Sequence, residues 1–118
     1  LEPMAGMVDG NETPEEAAHR EGWEEAGLTF DKLIPMFSSY ASSGNCSDYF
    51  YYFLGLTQLP EPHSYSGGLE EEAEDLKLHV VSFDQAFALI ETGEINVAPT
   101  ISSLLWLDRK RAELRASA

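Results

Sequence analysis

Apolar residues in this chain come in short bursts separated by turn residues, and the period of the bursts changes along the sequence. Met4 to Val8 reads as a short strand, closed by the turn residues Asp9, Gly10 and Asn11. Thr13 is then an N-cap, with Pro14 at the first helical position and Glu16 completing a capping box. This predicts a helix from Pro14 to Ala26, ended by Gly27 in the left-handed conformation. Leu33 to Tyr40 reads as a strand, Ser42 to Asn45 as a loop, and the aromatic-rich Asp48 to Leu56 as the strongest strand. Residues 58–75 carry Pro60, Pro62, Gly67, Gly68 and a run of acids, which predicts a loop. Leu76 to Val81 is another strand. Ser82 caps a short helix with Gln85 as its box partner, and Gly93 ends it. Asn96 to Pro99 leads into a last helix over Thr100 to Leu114, with Ile101, Leu104, Leu105 and Trp106 available to a core. Strands and helices alternate, so the fold class is α/β. No internal repeat or boundary interrupts residues 1–118, which read as a single domain.

Composition narrows the function. With 43% apolar and 11% aromatic residues, the chain is globular rather than disordered. No apolar run reaches the length of a membrane span. The lone Cys46 cannot form an internal disulfide, and no basic-then-apolar leader opens the chain, so a cytoplasmic location is expected. The net charge of -14 disfavours nucleic acid and anionic membrane as partners. It would also repel a polyanionic small molecule unless cations bridge the contact. Of the seven basic residues, Arg109, Lys110, Arg111 and Arg115 cluster near the end, so the remainder is more acidic still.

The candidate chemistry sits in the first helix. At about 100° per residue, Glu21, Glu24 and Glu25 share one face, flanked by Ala17 and Ala18. Arg20 alone opposes their charge within the segment. Concentrated carboxylates beside small residues suit a hard divalent cation, which takes oxygen ligands and keeps several waters. A solvated acidic face is the other reading of the same helix. Trp23, as a large aromatic, reads as a packing residue. Gly22 in a helix interior either softens the helix or permits close packing beside it.

The wider spacing points to a family. Gly6, five residues, Glu12, seven residues, Arg20-Glu21, two residues, Glu24-Glu25, one residue, then Gly27-Leu28 resembles the Nudix box. Leu69 to Ser82, Ala86 to Gly93 and Ile95 to Trp106 are similar to the C-terminal half of bacterial ADP-ribose pyrophosphatases. The resemblance implies an α/β/α sandwich around a mixed sheet, incomplete here at its N-terminal side. It implies Mg²⁺ (or Mn²⁺) held by Glu21, Glu24, Glu25 and the Ala5 carbonyl, with Arg20 and Glu12 pairing to orient the carboxylates. A glutamate of the acidic loop would be the general base; Glu72 and Glu74 match best, with Glu70 and Glu71 as rivals. Ser42, Ser43 and Gly44 would line the substrate side, Ser43 standing where the group often has proline.

The implied reaction is hydrolysis of a nucleoside diphosphate linked to another moiety, with ADP-ribose giving AMP and ribose 5-phosphate. Another Nudix pyrophosphatase activity, on a nucleoside-diphosphate sugar or a dinucleotide, is the alternative, as is a non-catalytic nucleotide-binding or dimerisation module. The group's habit of pairing subunits implies a homodimer.

Overall fold

A computed structural model describes residues 5–44, 47–59, 63–67 and 76–116. They form two compact units, divided between Val80 and Val81, each described in turn.

The first unit begins with an irregular segment and the helix α1, Pro14–Ala26. The expected strand at Met4 to Val8 does not form: residues 5–8 pair with no strand. The Met7 carbonyl accepts instead from Arg20 Nη2 at 2.8 Å, so a side chain takes the place of a ladder partner. The segment turns at Asp9, whose carbonyl accepts from the Glu12 N–H at 2.9 Å, with Gly10 at φ 48°. Thr13 caps α1 as expected. Its hydroxyl accepts from the Glu16 N–H at 3.1 Å, and the Glu16 carboxylate accepts from the Thr13 N–H at 3.0 Å. Gly27 ends the helix at φ 67°, a conformation that costs glycine little.

Two antiparallel pairs follow. β1, Lys32–Tyr40, pairs with β2, Tyr49–Leu56, with an irregularity between Pro35 and Phe37. β3, His63–Gly67, pairs with β4, Leu76–Val80. β3 corrects the expectation of a continuous loop over 58–75: antiparallel pairing with β4 satisfies backbone groups that the glycines and prolines around it had suggested were unpaired. The acidic stretch that joins β3 to β4 lies outside the described residues.

Between α1 and β1 the chain is pinned to the end of β2. The Asp31 N–H donates to the Leu56 carbonyl and the Thr57 hydroxyl to the Thr29 carbonyl, both at 2.8 Å. These bonds hold Phe30 with one part of its ring over Gly22 of α1 and another over Gly55 of β2. An ideal Cβ on Gly22 would come within 2.6 Å of Phe30 Cζ, and one on Gly55 within 2.6 Å of Cε1. Of the two readings of Gly22, close packing is therefore the one that holds. Ala17 and Gly22 are the buried residues of α1. Trp23 is 61% exposed, which corrects its expected packing role: the small residues face the strands, and Trp23 is carried round to the other side of the helix.

The second unit is a helix pair. α2, Phe83–Thr92, is capped by the Ser82 hydroxyl, which accepts from the Gln85 N–H at 3.1 Å. It ends at Gly93, with φ 83°. Ile95 and Ala86 are buried, the Ile95 N–H returning to the Leu89 carbonyl at 3.0 Å. α3, Ala98–Ala116, starts earlier and runs further than expected. Pro99 fits its first turn because no N–H is needed there. Ile101, Leu104 and Trp106 are half-buried, but Leu105 is 55% exposed, against expectation. The Arg111 guanidinium lies 3.9 Å from the centre of the Phe83 ring, and Phe83 packs on Phe87 at 4.9 Å. Within the described residues no helix is long and apolar enough to cross a membrane.

Candidate functional site

Arg20 organises the start of α1. Its guanidinium has two working edges. On one, Nε and Nη2 grip both oxygens of Glu12 at 2.8 and 3.0 Å, and Nη2 also reaches the Met7 carbonyl and, at 3.4 Å, Asp9. On the other, Nη1 donates to Glu21 Oε1 at 2.8 Å and to Glu24 Oε2 at 3.0 Å. A planar, rigid fork of donors makes such a double grip possible where an ammonium could not. The turn at Asp9 contributes as well: its own N–H donates to Glu12 Oε1 at 2.9 Å. Thus loop, helix and four carboxylates are tied through one residue.

The electrostatics follow. Hydrogen bonds from Arg20 first, and from the Asp9 N–H second, hold the Glu12 carboxyl below its ordinary value of 4.5. The hydrogen bond to Glu12, with help from that to Glu21, pushes the Arg20 guanidinium above its usual range. Since the folded value of Glu12 is depressed, its contribution to stability is present above about pH 4.5 and lost as pH falls through the folded value. A carbon-detected titration of Glu12 is expected to show a midpoint under 4.5, and a midpoint at or above that value would mean the Arg20 grip is not formed in solution.

Gly6 supplies the second element. A Cβ there would overlap the Glu21 carboxyl group, so the glycine lets that carboxylate lie against the backbone beside Ala5. Glu25, half-buried, stands next to Glu24 on the same turn. Among the described residues, no three histidine, cysteine, aspartate or glutamate side chains converge closely enough to hold an ion. By type, the carboxylates of Glu21, Glu24 and Glu25 are anionic oxygen donors, the kind a hard divalent cation takes. Gly6→Ala is expected to displace the Glu21 carboxylate and lower the melting temperature, since the added methyl group would overlap that carboxyl group. Thermal unfolding checks it; an unchanged melting temperature would show that Glu21 does not lie against Gly6.

The other expected residues are placed less closely. Ser42, Ser43 and Gly44 lie in the turn between β1 and β2, where the Ala41 N–H donates to the Asp48 carbonyl at 3.0 Å. That turn is separated by about 20 Å of strand from Gly55, where β2 meets Phe30. Glu72 and Glu74, with Glu70 and Glu71, lie outside the described residues. The sequence reading missed Phe30 and the Met7 carbonyl. The signal for Phe30 was a large aromatic just after a helix-ending glycine; a backbone carbonyl leaves no signal.

A comparison with protein families decides what this arrangement belongs to. The NUDIX domain family model matches residues 2–104, running through both units. The chain belongs to the Nudix family. Its Nudix domain is 36% identical over 115 residues to an ADP-ribose pyrophosphatase of Escherichia coli (strain K12), covering 98% of this chain and 54% of the relative. It is likewise 36% identical over 117 residues to an ADP-ribose pyrophosphatase of Haemophilus influenzae, covering 99% and 54%. A GDP-mannose pyrophosphatase of Enterobacter sp. (strain 638) is 30% identical over 107 residues, 91% of this chain and 54% of that protein. The chain spans about half the length of these curated relatives.

Proposed function

We propose that this Nudix domain serves the divalent-cation-dependent hydrolysis of a nucleoside diphosphate linked to another moiety, with ADP-ribose as substrate and AMP and ribose 5-phosphate as products. The observation that carries this reading is the gathering of Glu21 and Glu24 by Arg20 within one helical turn, with Gly6 opening the space beside them. The names of the 36%-identical relatives support ADP-ribose as the choice of substrate. Glu21, Glu24 and Glu25 would hold Mg²⁺ or Mn²⁺, with the Ala5 carbonyl as a further oxygen ligand. Bound there, the cation would neutralise the diphosphate and polarise phosphorus. A chain of net charge -14 needs such a bridge before it can take a polyanion.

The residues of the chain have distinct tasks in this reading. Glu12 fixes the Arg20 guanidinium, and Arg20 sets the position of the carboxylates. Glu72 or Glu74 takes a proton from the attacking water, which approaches one phosphorus in line with the leaving phosphate. Ser42, Ser43 and Gly44 contact the sugar end of the substrate. The working particle in this reading is a cytoplasmic homodimer.

The GDP-mannose pyrophosphatase relatives favour a second reading, a nucleoside-diphosphate sugar as substrate. Turnover of ADP-ribose and GDP-mannose with Mg²⁺, followed by product chromatography, separates the two. A higher kcat/KM for ADP-ribose is expected. Preference for GDP-mannose would replace the first reading by the second, and binding of ADP-ribose without cleavage of either would favour a non-catalytic module.

A further inference from the structure

Phe30 stands between two elements that have no side chain of their own at the point of contact. Toward α1, the Cζ corner of its ring faces Gly22; toward β2, the Cδ1–Cε1 edge faces Gly55. A methyl group on Gly22 would lie 2.6 Å from Cζ and one on Gly55 2.5 Å from Cδ1, so neither side has spare room. The ring thus spans the gap between helix and strand with its width. That width is fixed, because an aromatic ring has no internal torsion, whereas an aliphatic chain in the same place could change rotamer. The backbone on either side of Phe30 is tied to the end of β2, through Thr29 to the Thr57 hydroxyl and through Asp31 to the Leu56 carbonyl, both at 2.8 Å. At the helix end, the Leu28 N–H donates to the Gly22 carbonyl at 3.2 Å and the Gly27 N–H to the Trp23 carbonyl at 2.8 Å. Helix, linker and strand close a short loop around the ring.

The ring bears on the turn that carries the acids. Gly22 directly follows Glu21, and Glu24 and Glu25 come two and three residues later. Phe30 touches this turn on the Gly22 side, while the Glu21 carboxyl group lies against Gly6. The hydrogen-bonded backbone of a helix moves as a unit over so short a span, so a shift at Gly22 carries all three glutamates with it. We propose that Phe30 is a positioning residue: its ring width sets how far the carboxylate turn stands from β2, and so where Glu21, Glu24 and Glu25 are presented to a cation. The inference rests on the proposed role of those glutamates as cation ligands. It also accounts for glycine at position 22, where a side chain would compete with the ring for the same gap. A ring that only filled space would add stability and leave the cation affinity of the folded protein unaltered.

Affinity and stability are therefore measured side by side. Phe30→Leu narrows the spacer. Its Mn²⁺ affinity, measured by calorimetry on the full chain at a temperature where the variant is folded, is expected to fall about tenfold, as for a lost support behind metal ligands. Gly22→Ala made together with Phe30→Leu puts a methyl group into the vacated space and is expected to restore most of that affinity. A lower melting temperature with wild-type affinity in Phe30→Leu overturns the proposal, and so does a loss that the second change does not repair. Should Phe30→Leu not fold, the wild type decides the matter, because coupling between two sites is reciprocal. Mg²⁺ titration followed by NMR is expected to shift the Phe30 ring and Gly55 Hα signals together with those of Glu21 and Glu24. Phe30 and Gly55 signals that stay fixed through saturation overturn the proposal. If the wild type binds neither Mn²⁺ nor Mg²⁺, the metal-site reading falls and this proposal with it. If it binds both cations and Phe30→Leu binds them equally well, only this proposal falls.

Discussion

Glu25→Gln is expected to lower kcat for the Mg²⁺-dependent cleavage about a thousandfold while leaving the melting temperature close to that of the parent. The change keeps the size of the side chain but removes the charge and turns one acceptor oxygen into an NH2 donor. In the proposed site that charge helps hold a cation against the diphosphate, and one lost electrostatic contact to a reacting group costs on the order of 10²–10³ in rate. The small effect on stability follows from the conservative size of the change: glutamine fills the same volume at a half-buried position, and the buried residues of α1, Ala17 and Gly22, are untouched. Rates over a range of Mg²⁺ concentrations check both halves. Near-parental turnover would remove Glu25 from the site, and a collapse in melting temperature would make its role structural.

Gly22→Ala is expected to destabilise the protein, although a helix-propensity argument predicts the reverse. Alanine within a helix is favoured over glycine by about 1 kcal/mol. Here the new methyl group would meet Phe30 Cζ at 2.6 Å, well inside normal carbon–carbon contact. The ring has no simple retreat, because Gly55 lies against another part of it and the bonds at Thr29 and Asp31 hold the backbone on either side. Overpacking of this kind costs about 1–3 kcal/mol, which outweighs the propensity gain. A fall in melting temperature of roughly 3–8 °C follows for a domain of this size. Phe30→Leu, made together with Gly22→Ala, should recover part of the loss, since a smaller side chain vacates the space the methyl group needs. A higher melting temperature for Gly22→Ala alone would show that Phe30 does not sit against the helix. Because Glu21 adjoins Gly22, the same variant is also expected to loosen cation binding.

What the chain determined by itself is local. The Thr13 capping box, the Gly27 and Gly93 helix ends, the Ser82 cap and the gathering of Glu21, Glu24 and Glu25 on one face all depend on residues within a few positions of one another. Backbone geometry alone fixes such relations, and the strong aromatic strand at Tyr49–Leu56 was legible for the same reason. Tertiary structure decided the rest. Whether Gly22 softens a helix or seats an aromatic ring depended on Phe30 and on Gly55, which approach from the linker and from another strand. Whether Met7 joined a ladder depended on a guanidinium arriving from α1. β3 formed where turn residues predicted a loop because β4 supplied its partner. The exposure of Trp23 was set by which face of α1 met the strands. In each case the outcome turned on which groups from distant parts of the chain satisfied a backbone polar atom or filled a space, and sequence periodicity carries no record of that.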